Sequence, residues 1–249
     1  MNRELEGQVA LVTGAAINIG RAIALSLADA GASVAVNTRQ SREPAQAVVD
    51  EIRAAGGRAG LFMADITDAG AVKAMVDDVV GTFGRLDILV LNASVRREVP
   101  FVDMDFDEWR RTMSTTLDGS FHCLKASIPH LIAAGGGNIV TLGGDTTLDG
   151  AVRKAHNSAA KAGLAGLGRS LAKELAQFGI RVNMVSPGDI KTTRPAHRTP
   201  RPEVPPHIPL GRYGEPDEIA ATVRFLCGAG GAFITGQVIH VNGGTLLGN

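Results

Sequence analysis

Cysteine, tyrosine and tryptophan are scarce in this chain, and net charge is absent. The two cysteines, Cys123 and Cys227, stand far apart in apolar surroundings, which excludes a disulfide scaffold and leaves two buried thiols. Neither they nor the six histidines form a pair at metal-ligand spacing, so no structural metal is expected. A formal charge of zero with scattered basic residues removes the field that would gather nucleic acid or an anionic membrane. Long hydrophobic runs are missing too: the opening stretch MNRELEGQVALVTG carries acidic residues and one apolar run too short for a signal peptide or a membrane span. A cytoplasmic location is the expectation. With 45% hydrophobic and 20% charged residues, the 249-residue chain has the balance of a packed globule, expected as one domain over residues 1–249.

What is present is alternation. QVALVT (8–13) is a short β-branched run closed by Gly14, and apolar residues at helical spacing follow from Asn18 to Ala30. The pattern repeats through SVAVN, a helix holding Val48, Val49 and Ile52, then RAGLFM, a helix holding Val72, Met75, Val76 and Val79, and DILVLN. It continues with a helical stretch from about Asp107 to Ala134, a GGGNIVTL strand, a helix from about Lys154 to Phe178, and IRVNMVSP. Strands alternating with helices predict a parallel sheet, and strands that are continuously apolar predict helices on both of its faces. The expected architecture is an α/β Rossmann fold with a doubly wound parallel sheet of about seven strands. A proline-rich stretch at about 193–210 interrupts the pattern and reads as an irregular substrate lid.

Gly14 and Gly20 bracket the turn TGAAINIG between a predicted strand and a predicted helix, where backbone amides and the helix dipole can hold a pyrophosphate. A tight turn without a ligand is the structural alternative. The segment Thr13 to Gly20 resembles the TGxxxGxG turn of the short-chain dehydrogenase/reductase family. Leu91-Asn92-Ala93-Ser94 resembles that family's NNAG, and Ala64 to Asp68 its ADVTD. LAKELAQFGIRVNMVSPG and FITGQVIHVNGG are similar to its later helix, strand and terminal strand, so the likeness runs over almost the whole chain.

This resemblance implies a nicotinamide dinucleotide held at Gly14, Ala16, Asn18, Ile19 and Gly20, with Asp65 and Ile66 bordering the adenine. Asn92, Ala93 and Ser94 would lie by the ribose, Pro187, Gly188, Ile190 and Thr192 by the nicotinamide, and Lys161 would bridge the nicotinamide ribose. Asn18 stands at the family's middle glycine, a place an asparagine can fill because it tolerates positive φ. Charge bears on which dinucleotide binds. A carboxylate ending the second strand would accept the 2′-hydroxyl of NAD; here Thr38 stands there, followed by Arg39, Ser41 and Arg42, which favours NADP(H) over NAD(H). The alternative is that both arginines are solvated surface charges.

At the catalytic positions the resemblance departs. Aligning NSAAKAGL with the family's YxxSK segment retains Lys161 but puts Asn157 at the tyrosine; Gly144 falls at the serine and Thr116 at the relay asparagine. Residues 157 and 161 are i and i+4 on one helical face, so Lys161 should still point into the site. Other candidate acids are His156, turned about 100° from Asn157 and subject to the helix dipole, Asp145 in GGDTTLDG, and Lys161 itself if burial lowers its pKa. Tyr213, the one tyrosine, lies in a segment whose family counterpart is distant from the catalytic centre.

The reading is an NADP(H)-dependent short-chain oxidoreductase acting on a small carbonyl, alcohol or enoyl substrate, 3-oxoacyl-reductase-like, with an atypical proton donor. The alternatives are a catalytically inactive NADP(H)-binding sensor or partner subunit, and a lyase or isomerase on the same fold. Its partners would be a small-molecule substrate and, as the resemblance implies, further copies of itself in a homodimer or homotetramer.

Overall fold

The computed structural model describes residues 3–193, 202–203 and 205–247. Its elements alternate as β1 (Val9–Val12), α1 (Asn18–Asp29), β2 (Ser33–Thr38), α2 (Arg42–Ala54), β3 (Ala59–Met63), α3 (Ala69–Phe83) and β4 (Ile88–Leu91). They continue as α4 (Phe106–Met113), α5 (Gly119–Ala133), β5 (Gly137–Leu142), α6 (Ala155–Leu175), β6 (Ile180–Pro187), α7 (Pro216–Cys227) and β7 (Val238–Val241). All seven strands pair in parallel in the order β3-β2-β1-β4-β5-β6-β7. Helices α1, α2 and α7 bury their apolar stripes in one core, and α3, α5 and α6 in another on the opposite face. This is the doubly wound arrangement anticipated from continuous strands such as Ile88–Leu91, buried at every position. The lid expected at about 193–210 lies largely outside the described residues.

The strand order reverses between β1 and β4, the place where open α/β sheets part to form a ligand crevice. The pair is locked at the far end by Asp87, whose buried carboxylate accepts from Val9 N at 2.9 Å and from the fork of Arg85 at 2.6–3.0 Å. At the crevice end the helix starts differ in a telling way. Asp68 and Asp105 cap α3 and α4, and a Glu215–Glu218 capping box closes α7. Helix α1, like α6, has neither a side-chain cap nor an acid in its first turn, and its amides follow the glycine turn directly, where they remain available to an anion.

The single helix anticipated over 107–134 is two helices joined by a π turn, Ser114–Asp118. There the Ser120 hydroxyl donates to Thr116 O at 2.7 Å, diverting a carbonyl from the regular ladder, and the close approach of Gly119 to Ile66 leaves no room for a side chain. The widened turn brings Thr115 to the crevice.

Asp87→Ala removes the acceptor of Val9 N in the sheet centre. Urea unfolding should show a loss of about 1–3 kcal/mol, the cost of a buried donor left without a partner; an unchanged midpoint would show that the clasp contributes nothing.

Candidate active site

The crevice at the ends of β1, β4, β5 and β6 encloses about 1080 Å³, at the upper end of the range for ligand sites, about 300–1,000 Å³. Its floor is the glycine turn. Gly14 holds φ +63°, and a Cβ on Gly20 would sit 2.2 Å from Gly14 O, so no other residue fits there. Asn18 takes φ +52°, and its Oδ1 accepts from Thr193 N at 2.8 Å, tying the turn to the segment that leaves β6. Thr13 Oγ1 accepts from Asn92 N and Ala93 N (3.0 and 3.2 Å), while the Asn92 amide donates to Thr13 O and Gly14 O, both at 3.0 Å. Asn92 is thus a structural clasp as well as a lining residue. Gly14, Asn18, Ile19, Gly20, Ala93 and Ser94 all line the crevice; Ala16 does not, because the start of α1 packs it into the core.

At one side of the crevice stand Arg39, Asp65 and Ile66. Burial works against the Asp65 carboxylate, but the Thr67 amide and hydroxyl (2.9 and 2.8 Å) and the Arg39 guanidinium at 3.4 Å outweigh it and hold its pKa below the usual value. Thr38 and Ser41, both expected as cofactor contacts, are not in the lining. Thr38 is buried, its hydroxyl accepting from Ser41 N at 3.4 Å, and Ser41 is an exposed residue opening α2. Toward the end of β6, Pro187, Gly188 and Thr192 line the crevice, whereas Ile190 turns inward, bridging to Gly214.

Lys161 and Asn157 both line the crevice, one helical turn apart on α6. Lys161 is nearly fully buried, its Nζ donates to Leu142 O, and desolvation first, then the nearby charge of Arg96, lowers its pKa to about 7. Asn157 Nδ2 donates to Arg97 O at 3.3 Å. Gly143 and Gly144 follow β5 in the same lining, and Thr116 is buried, its hydroxyl without a hydrogen-bond partner among the described residues.

Two anticipated acids are placed otherwise. His156 is wholly buried outside the crevice, its Nε2 3.7 Å from Glu108 Oε1; desolvation lowers its pKa against the pull of Glu108. Asp145 does line the crevice, but its carboxylate accepts from Asn242 Nδ2 (3.3 Å) and Thr245 Oγ1 (2.7 Å), which anchors the chain after β7. Tyr213, expected at a distance, lines the same crevice, with its hydroxyl donating to Pro202 O at 3.1 Å. Sequence reasoning also passed over Arg96, Arg97, Asp189 and His207, which loops carry to the rim. The paired arginines directly after the Asn92 motif were the one available signal.

Fold and site together define a Rossmann-type oxidoreductase: a capless helix N-terminus and a buried lysine share one crevice at the switch point of a parallel sheet. The model of a family described as enoyl-(acyl carrier protein) reductase matches residues 14–245. The chain is 43% identical to the 3-oxoacyl-(acyl-carrier-protein) reductase FabG of Staphylococcus aureus (strain Mu50) over 240 residues, covering 96% of this chain and 98% of that one. It superposes on a dehydrogenase/reductase from Sinorhizobium meliloti 1021 with a TM-score of 0.91 at 36% identity, covering 99% and 98% of the two chains. For a short chain dehydrogenase from Burkholderia cenocepacia J2315 in complex with NADP the TM-score is 0.89 at 36% identity, covering 97% and 99%. The chain belongs to the short-chain dehydrogenase/reductase family and is an oxidoreductase.

The lowered pKa of Lys161 has a signature in stability. Below about pH 7 the lysine is charged in both folded and unfolded states, and the burial penalty is fully present. Between about 7 and 10.5 the unfolded chain holds a proton that the folded protein has released, so stability rises with pH. Relative to Lys161→Met, the native protein should gain about 4 kcal/mol from pH 7 to pH 10 in denaturant titrations; parallel pH profiles would show that the ammonium is not desolvated.

Proposed function

We propose that this protein reduces a small carbonyl compound with NADPH, and that Lys161 takes the acid's part usually given to a tyrosine. Asn157, Gly144 and Thr116 stand where the family's tyrosine, serine and asparagine are expected, making this an atypical member. The observation that carries the reading is the buried Lys161 Nζ, held at Leu142 O in the same crevice as the glycine turn.

The donor set suits a dinucleotide. The uncapped α1 amides would hold a pyrophosphate, Asn92 and Ser94 line the crevice, and Pro187, Gly188 and Thr192 line its β6 end. Arg39, on the crevice wall, favours a 2′-phosphate; its bond to Asp65 at 3.4 Å is long and exposed enough to be exchanged. The related Burkholderia enzyme, similar over 97% of this chain, is in complex with NADP.

When bound, the nicotinamide supplies a hydride to the carbonyl carbon, and the electron pair displaced onto oxygen must take a proton. The Lys161 ammonium is a donor with a pKa near operating pH, which is where general acids are most effective. Leu142 O fixes its Nζ, and Asn157 one turn earlier offers an amide to orient the substrate oxygen. The 3-oxoacyl-(acyl-carrier-protein) reductases similar to this chain make a 3-oxoacyl group the first carbonyl class to try.

We also propose a single functional unit over 1–249 with the proline-rich 193–210 stretch as lid, and assembly into a homodimer or homotetramer through exposed apolar side chains such as Phe121 on α5 and Phe225 on α7. Among the described residues no helix is long and apolar enough to cross a membrane, and a cytoplasmic location accords with two free, buried cysteines, Cys123 and Cys227.

Following NADPH absorbance against 3-oxoacyl thioesters and simple ketones should show turnover that prefers NADPH to NADH. The Lys161→Ala variant should lose about 10²-fold or more in kcat, and kcat/KM should fall as pH rises through about 7 and the ammonium is lost. NADPH binding without turnover across the panel would instead favour the non-catalytic sensor or subunit.

A further inference from the structure

Resting on that oxidoreductase reading, we propose that Glu108, on α4 and outside the crevice lining, is a positioning residue of the active site. It grips the Arg97 side chain so that the Arg97 main chain holds the Asn157 amide, one helical turn before Lys161.

The start of α4 sets the carboxylate in place. Asp105 Oδ1 accepts from Glu108 N at 2.7 Å, which fixes Glu108 in the first turn, where negative charge is favoured. The side chain is buried, and its Oε2 lies 2.9 Å from Arg97 Nη1 and accepts from Arg111 Nη1 at 3.0 Å. Its Oε1 stands 3.7 Å from Nε2 of the buried His156 and has no hydrogen-bond partner among the described residues. The carboxylate thus sits between the loop after β4 and the first turn of α6. Those two segments are joined again beside it: Arg97 O accepts from Asn157 Nδ2 at 3.3 Å, and Val99 N donates to Arg153 O at 2.8 Å. Arg97 therefore has its side chain on Glu108 and its carbonyl on Asn157, while His156, which faces Glu108, directly precedes Asn157.

A carboxylate buried with one oxygen unpartnered is costly, and an ion pair so placed adds little net stability. Its effect is geometric. Arg97 and Asn157 both line the crevice, and the Arg97 guanidinium is half exposed, so without Glu108 the loop would lose the ion pair that fixes that side chain. A fixed Arg97 carbonyl gives Asn157 Nδ2 its acceptor, and the amide cannot exchange its nitrogen and oxygen ends without losing that bond. A substrate reaching Lys161 then meets an amide already oriented; a misplacement of about 1 Å in such a group costs about 10²-fold in rate.

Two measurements separate this tether from the reductase reading. Asparagine-selective ¹⁵N labelling reads the Asn157 side-chain amide without turnover, its resonance assigned by its loss in Asn157→Ala. In Glu108→Met, and in Arg97→Met, which leaves Glu108 paired with Arg111, that resonance should shift or broaden. In NADPH-dependent ketone reduction each of the two variants should lose about tenfold to a hundredfold in kcat, and Glu108→Met should bind NADPH within about twofold of the native protein by calorimetry. On an Asn157→Ala background neither should lose more than about a further twofold, because all three act through one contact. Glu108→Gln, which can still accept from Arg97, should fall between. An unmoved Asn157 resonance overturns the proposal, as do losses that add in full to that of Asn157→Ala. A resonance that follows Glu108 in a protein that reduces no ketone would leave the tether standing and remove the reductase reading. Reduction with the resonance unmoved would do the reverse.

Discussion

The crevice depends on a clasp of four hydrogen bonds between Thr13 and Gly14, just after β1, and Asn92 and Ala93, just after β4. Strands β1 and β4 are adjacent in the sheet but send their chains to opposite faces, so a gap must open above them, and backbone polar groups at such a gap need partners. The threonine hydroxyl and the asparagine amide supply those partners. In doing so they hold the glycine turn where α1 begins, and the absence of a side-chain cap leaves that helix end open to an anion.

The second organising feature is electrostatic. The crevice is rich in charge of both signs, yet most of its charged groups are matched within the protein: Arg39 with Asp65, Lys154 with Glu98, His207 with Asp189. Lys161 has a backbone carbonyl, and no carboxylate, for a partner among the described residues. Fixed by Leu142 O and depressed to about 7 by burial and by Arg96, it is poised between charged and neutral forms in the pH range where a proton donor is useful. A buried lysine so tuned can carry chemistry that Asn157, whose amide does not titrate, cannot.

Where the sequence misdirected, the cause lay in side-chain direction. Thr38 and Ser41 flank the crevice residue Arg39 in the chain, but one is buried, the other is the exposed residue at which α2 opens, and neither is in the lining. His156 is next to Asn157 in sequence, and the helical step turns it into the packed interior beside Glu108. Tyr213 reads as remote because its segment resembles one that lies away from the family's catalytic centre, yet the fold brings it to the wall of the same crevice.

The alternating apolar runs, the glycine turn, the positive φ of Asn18 and the i, i+4 pair of Asn157 and Lys161 were legible in the chain alone. Each rests on local backbone geometry, which a short stretch of residues dictates. The pKa of Lys161 and the bonds that occupy Asp145 were decided only by the tertiary structure. They arise from burial and from partners such as Thr245 and Leu142 that are distant in sequence, and no local pattern encodes which loops will meet above a sheet.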